Sequence, residues 1–192
     1  MSWPRLPPRR RLLGWGALLI LLLAGLPRLQ RENLLGGGGE LDAPRALPPL
    51  PADPGAWIGS APLTVDDLHG RVWVLKVWTF GCINCVRSIP YANGLVERFG
   101  PDLGVLGVHS PEFDWERDRA RLAEALQEHG VRFPTVVDQG LDLFLALEGE
   151  AWPAFYVLDR RGRIRGCWYG ELHEGTWRAG QLERLVRQLL AE

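Results

Sequence analysis

From Ala56 onward the chain alternates between apolar runs and apolar stripes. Residues 71–78 and 103–109 are nearly continuous apolar runs, as expected of strands covered on both faces of a parallel sheet. Residues 135–138, 154–159 and 164–168 are shorter strand candidates set between turn-forming residues. Between these runs the period changes. Ile89, Ala92, Val96 and Phe99 step by three and four, which predicts a helix. Asp114 reads as the cap of a second helix reaching Gln127, and residues 141–147 as a short third. Leu182, Leu185, Val186, Leu189 and Leu190 form one stripe of a final helix. Arg161-Gly162 reads as a tight turn, so the last two strands should pair antiparallel. The order β-α-β-α then β-β-α predicts an α/β domain with a mixed central sheet and helices on both faces.

The segment before Ala56 follows neither period. Arg5, Arg9, Arg10 and Arg11 precede the uncharged stretch 12–27, which is intermediate in length between a signal-peptide core and a spanning helix. Residues 1–27 therefore read as an N-terminal anchor, with a cleaved signal peptide as the alternative. Basic residues ahead of the apolar stretch predict that everything after residue 28 is exported, placing the domain where disulfides persist. Nine of the fifteen prolines fall before residue 55, and Gly36 to Gly39 is a run of four glycines. Residues 28–55 therefore read as a flexible linker, leaving 56–192 as the folded domain.

A formal net charge of -1 over 192 residues gives no footprint for nucleic acid. Three cysteines are too few for a disulfide-stapled scaffold, and the four histidines are scattered, so no second ligand pair completes a zinc site. Cys167 stands apart and reads as a small buried core residue.

The chemistry concentrates at Cys82-Ile83-Asn84-Cys85, directly after the apolar run 72–78. C-x-x-C spacing lets the two sulfurs close a small ring, and a strand handing over to a helix puts the first one beside unpaired N–H groups. Those groups favour a thiolate, the nucleophile of thiol–disulfide exchange.

Trp78 to Cys85, Pro90-Tyr91, Gly107 to Phe113 and Trp152-Pro153-Ala154 together resemble a thioredoxin-like domain. The resemblance is to the membrane-tethered TlpA-like group, nearest the C-terminal domain of DipZ-type proteins, and it covers about residues 56–192. It implies a thioredoxin fold and an extracytoplasmic thiol–disulfide oxidoreductase with Cys82 attacking and Cys85 resolving. It also implies that Pro153 is cis and faces the cysteines, and that Trp152 walls a client groove. Trp78, Ile83 and Asn84 complete the expected client-binding set, with Trp78 packed beneath the cysteines. Pro90 falls where thioredoxins kink their first long helix. No cofactor beyond the Cys82–Cys85 disulfide is implied. The partners implied are thiols or disulfides of exported proteins and a membrane electron donor.

The chain departs from the pattern at two places. The buried acid common six residues before the first cysteine is replaced by Lys76, and the glutamate frequent six residues after it by Ser88. Lys76 either lies buried near the sulfurs, lowering their pKa values while its own falls, or snorkels to the sheet edge. His109 and Glu112 follow a parallel strand on the Cys82 edge of the sheet, where they could handle protons; Ser110-Pro111 also reads as a plain turn. Ile83 and Asn84 carry no charge between the cysteines, which predicts a reducing rather than strongly oxidising couple. Three other functions fit a C-x-x-C pair: a redox-inert peptide-binding module, a Cu(I) site, and a thiol peroxidase.

Overall fold

The computed structural model describes residues 37–192. The expected anchor at 1–27 and the first part of the expected linker lie outside the described residues. Among the described residues no helix is long and apolar enough to cross a membrane.

Seven strands of the described residues form one mixed sheet: β1 (Gly38–Ala46), β2 (Trp57–Ile58), β3 (Val72–Trp78), β4 (Leu103–His109), β5 (Thr135–Val137), β6 (Ala154–Leu158) and β7 (Arg163–Tyr169). Their spatial order is β1-β7-β6-β3-β4-β5-β2. β3, β4 and β5 run parallel, whereas β6, β7, β1 and β2 join antiparallel. Every residue of β3 and β4 is buried, as their unbroken apolar character requires of central strands.

Among the described residues five α-helices accompany the sheet: α1 (Ile83–Arg87), α2 (Ile89–Phe99), α3 (Arg119–Glu128), α4 (Asp142–Ala146) and α5 (Trp177–Ala191). α2 and α5 bury Tyr91, Ala92, Leu95, Leu182, Leu185 and Val186 against Val72, Val74 and Val157. Leu143 and Phe144 of α4 pack on the other set of strand side chains, among them Leu75, Val77 and Leu106. Thr176 caps α5 through its side chain, which accepts from the Ala179 N–H. The helix behind the cysteines is two helices meeting at Ser88, with Pro90 in the first turn of α2, where proline's missing donor costs nothing.

Two expectations need correction. The helix anticipated from Asp114 to Gln127 is a short 3-10 turn, Asp114–Arg117, followed by α3. Asp118 is the real cap; its carboxylate accepts from the N–H groups of Ala120 and Arg121. The linker expected through residue 55 is also not an unpacked tether over its second half. Gly38–Ala46 forms the edge strand β1 along β7, and Leu47 and Leu50 are buried in the core beyond it. Gly38 makes this docking feasible, because a Cβ there would lie 2.0 Å from the Cys167 carbonyl oxygen. Glycine and proline content warned against packing, but pairing with a distant strand supplied the partners that local composition lacks.

Candidate active site at the Cys82–Cys85 turn

β3 ends at Trp78, and four residues later Cys82 caps the N-terminus of α1. The Cys82 sulfur accepts a hydrogen bond from the Cys85 N–H at 3.4 Å. Cys82 is partly exposed and Cys85 fully buried. A hydrogen bond from the Cys85 side chain, helped by the N–H groups of Cys85 and Asn84, lowers the Cys82 thiol from its ordinary 9.0 to about 6. Burial and the nearby Glu112 carboxylate oppose that shift. Burial and then the hydrogen bond with Cys82 push Cys85 far upward, with the Lys76 charge pulling the other way. One thiol is thus an accessible thiolate at neutral pH and its neighbour a buried thiol.

Lys76 is fully buried in β3 and does not snorkel. Its Nζ donates to the Cys85 carbonyl at 2.9 Å. The rings of Trp78 and Phe155 lie 5.5 Å and 5.4 Å away. Burial lowers its pKa from 10.5 to about 8, against the upward pull of the two cysteines.

The structure separates the other two proton-handling candidates. His109 is buried at the end of β4, stacked on Phe80 at 5.4 Å, with Nε2 3.3 Å from the Thr79 hydroxyl. Burial lowers it to about 4, so the ring is neutral where the thiols titrate. Glu112 is exposed and opposes Cys82 ionisation. Ser88, where a glutamate was absent, is buried and structural: its hydroxyl donates to the Asn84 carbonyl and accepts from the Leu172 N–H.

The Trp152-Pro153 peptide bond is cis. Trp152 stacks on Phe144 at 4.3 Å and donates from Nε1 to the Ser110 carbonyl at 3.0 Å. Ser110 is held in turn by Asp138, whose carboxylate also accepts from the Leu143 and Phe144 N–H groups in the first turn of α4. Ile83 is 60% exposed beside Cys82, and Asn84 is exposed too. Trp78, counted with them as client-binding, is fully buried against Cys85, Ile89, Leu122 and Val137. It floors the site and cannot touch a client.

Glu116 was missed in the sequence and is central here. Only 1% exposed, it accepts from the Gly81 N–H at 3.1 Å and from the Glu112 and Phe113 N–H groups at 2.6 Å and 2.9 Å. The carboxylate ties the turn after β4 to the residue just before Cys82. Gly81 permits the contact, since a Cβ there would meet Glu116 Oε1 at 2.1 Å and Trp115 at 2.5 Å. Trp115 and Phe113, about half exposed, extend an aromatic rim from Phe80. The only local signal was an acid three residues after Phe113 near a turn, which is common.

No family model matches the chain. It is 31% identical over 165 residues to the DipZ protein of Mycobacterium tuberculosis, which covers 84% of this chain and 23% of DipZ. The chain thus spans about a quarter of the length of that relative. The thiol-disulfide oxidoreductase YkuV of Bacillus subtilis is 29% identical over 138 residues, covering 71% of this chain and 89% of YkuV. Among solved structures, a thiol-disulfide isomerase from Corynebacterium glutamicum matches with a TM-score of 0.64 and 28% identity, covering 76% of this chain and 97% of that one. A thioredoxin-like superfamily protein matches at 0.68 and 28%, over 77% and 97%. With these likenesses, the mixed sheet and a cysteine pair opening a helix after the central strand, the chain belongs to the thioredoxin-like superfamily.

Proposed function

We propose that the chain is a thiol–disulfide oxidoreductase that exchanges disulfides with proteins outside the cytoplasm. One observation carries this reading: two adjacent thiols with opposite ionisation, Cys82 lowered to about 6 and partly exposed, Cys85 buried and raised. The Cys82 thiolate attacks a client disulfide in line, forming a mixed disulfide and releasing one client thiolate, which takes a proton from water. Cys85 then loses its proton and attacks Cys82 Sγ, closing the Cys82–Cys85 bond and releasing the second client sulfur. Two electrons pass to the client, and an external donor of reducing equivalents restores the dithiol.

An extended client segment would lie between the Trp152-Pro153 wall and exposed Ile83 and Asn84. The names of YkuV and of the thiol:disulfide interchange protein DsbE of Pseudomonas fluorescens, 29% identical over 121 residues, support the reaction class. Basic residues ahead of an apolar stretch support export, arginines on both flanks of it support an uncut N-terminal anchor, and the resemblance to membrane-tethered thioredoxin-like proteins supports a membrane carrier as donor.

The test is reduction of insulin by the full chain with dithiothreitol as donor, repeated with Cys82→Ser. Turnover lost in the variant supports the assignment; turnover retained removes Cys82 as nucleophile. Stoichiometric Cu(I) uptake without turnover would replace the exchange reading with a metal-binding one.

A further inference from the structure

Lys76 is a buried cation with an unusual set of neighbours. It sits mid-strand in β3, opposite Gly107 of β4 and Phe155 of β6, with no solvent exposure. Its Nζ meets the Cys85 carbonyl of α1 and two aromatic faces. No carboxylate among the described residues forms an ion pair with it. The titratable groups that act on it are Cys85 and Cys82. Other nearby ionisable groups are engaged elsewhere: His109 with Thr79 and Phe80, Glu116 with three backbone N–H groups, and Glu112 at the surface facing Cys82.

Burying a cation without an anion is costly, so the charge on Lys76 depends on the charge on the sulfurs. While Cys82 is a thiolate, it compensates the ammonium. Once Cys82 is bonded to a client sulfur, that anion is gone and Cys85 is still a neutral thiol. The ammonium would then stand uncompensated, which favours loss of its proton. This is the step at which Cys85, pushed up by burial, most needs a base.

We propose that Lys76 is the base that takes the Cys85 proton, and that it becomes available only after Cys82 has been consumed in a mixed disulfide. The proposal rests on the exchange reading above. The neutral amine accepts the proton from Cys85 Sγ. The resulting thiolate attacks Cys82 Sγ, the Cys82–client bond breaks, and the client sulfur leaves with the electron pair and is protonated by solvent. The ammonium left above a neutral disulfide then releases its proton to water. In the reverse direction the same amine returns a proton to Cys85. Burial already holds Lys76 to about 8 with both sulfurs attracting its proton, so loss of the Cys82 charge moves it lower still.

Dithiobis(nitrobenzoate) reports the two steps separately on the full reduced chain. The first thionitrobenzoate is released by Cys82 attack, the second by Cys85 closing the disulfide. Between about pH 5 and 10 the second release in the unaltered protein should rise and then level off below about pH 8. Lys76→Met should slow it roughly 100-fold at pH 7 and make it climb about tenfold per pH unit, as expected when hydroxide replaces a positioned base. Lys76→Arg keeps the charge but cannot give up its proton; it should show the same slow second release, with the first release little changed. The unaltered profile persisting in either variant overturns the proposal, as does an unaltered protein whose second release climbs through pH 9 without a bend. A single equivalent released by the unaltered protein would sink the exchange reading itself, and this proposal with it.

Discussion

The largest cause of the lowered Cys82 pKa is a donor on Cys85, which makes Cys85→Ala against Cys85→Ser the most direct perturbation. Serine keeps a hydroxyl donor near the sulfur; alanine removes it while leaving the N–H groups of Asn84 and Cys85 in place. A hydrogen bond to a charged acceptor contributes about 1.5–3 kcal/mol, or roughly one to two pK units. The Ala variant should therefore titrate near about 7.5, and the Ser variant close to about 6.

The rate consequence runs against intuition. At pH 7 a thiol at about 6 is roughly nine-tenths thiolate, and one near about 7.5 roughly a quarter, a loss of about fourfold. A more basic thiolate is also a better nucleophile: with a Brønsted slope of about 0.45, a rise of ~1.5 units gains about fivefold. The two effects cancel near pH 7. Rates of attack on hydroxyethyl disulfide should thus be indistinguishable there, about fivefold slower for the Ala variant at pH 5.5, and about fivefold faster at pH 9. Crossing profiles are the signature, and a single-pH assay would miss them. Superimposable profiles for the Ser and Ala variants would refute the reasoning and leave the N–H groups of α1 as the sole source of the shift.

Glu116→Ala should cost about 2 kcal/mol in urea unfolding, less than three lost charged hydrogen bonds suggest, because Gly81 and Glu112 lie at the surface where water replaces the acceptor. Trp152→Ala should lower insulin reduction about tenfold while leaving the Cys82 midpoint near about 6, since Trp152 takes no part in that shift; equal activity would remove it from the groove. A chain starting at residue 56 should unfold at lower urea than one starting at residue 37, because it loses β1 and leaves the β7 edge open; equal midpoints would make β1 dispensable. The couple should be reducing: a Cys82 near about 6 rather than ~7 favours the dithiol by only ~20 mV at pH 7, far from a strong oxidant at ~-120 mV, and a potential that high by glutathione equilibration would contradict it.

The site was most legible where chemistry is local in sequence. A central strand buried on both faces announces itself as an apolar run, and β3 and β4 run within a residue or two of where those runs put them. A C-x-x-C pair behind such a run carries its own helix start, and Cys82 is the cap of α1. What escaped depends on contacts across the fold. β1 consists of residues that cannot pair with one another; it forms because Gly38 can pass over Cys167 and because Leu47 and Leu50 find core to fill. Asp118 shares the capping chemistry of Asp114, and only the fold tells the two apart. The turn that ends at Arg117 decided between them, since Glu116 must reach back to Gly81. Lys76 left two readings open because a lysine's reach permits both; only the cover of α1, Trp78 and Phe155 closes the route to solvent.

The charges around the pair are divided by task. Glu116 lies near Cys82 but is absent from the causes of its shift; its carboxylate is committed to backbone donors, fixing where Gly81 and therefore Cys82 sit. Glu112 works against the thiolate, so the depression to about 6 is achieved despite that carboxylate. What lowers Cys82 is a set of hydrogen-bond donors at contact distance, which salt does not screen as it screens separated charges. Such donors act only if they stay aimed, and the aim is set by the turn that Glu116 anchors and Trp115 covers. The reactivity of the first thiol is therefore a property of loop geometry, while the proton traffic of the second is a property of a buried charge. That separation lets the two steps of exchange respond to different substitutions.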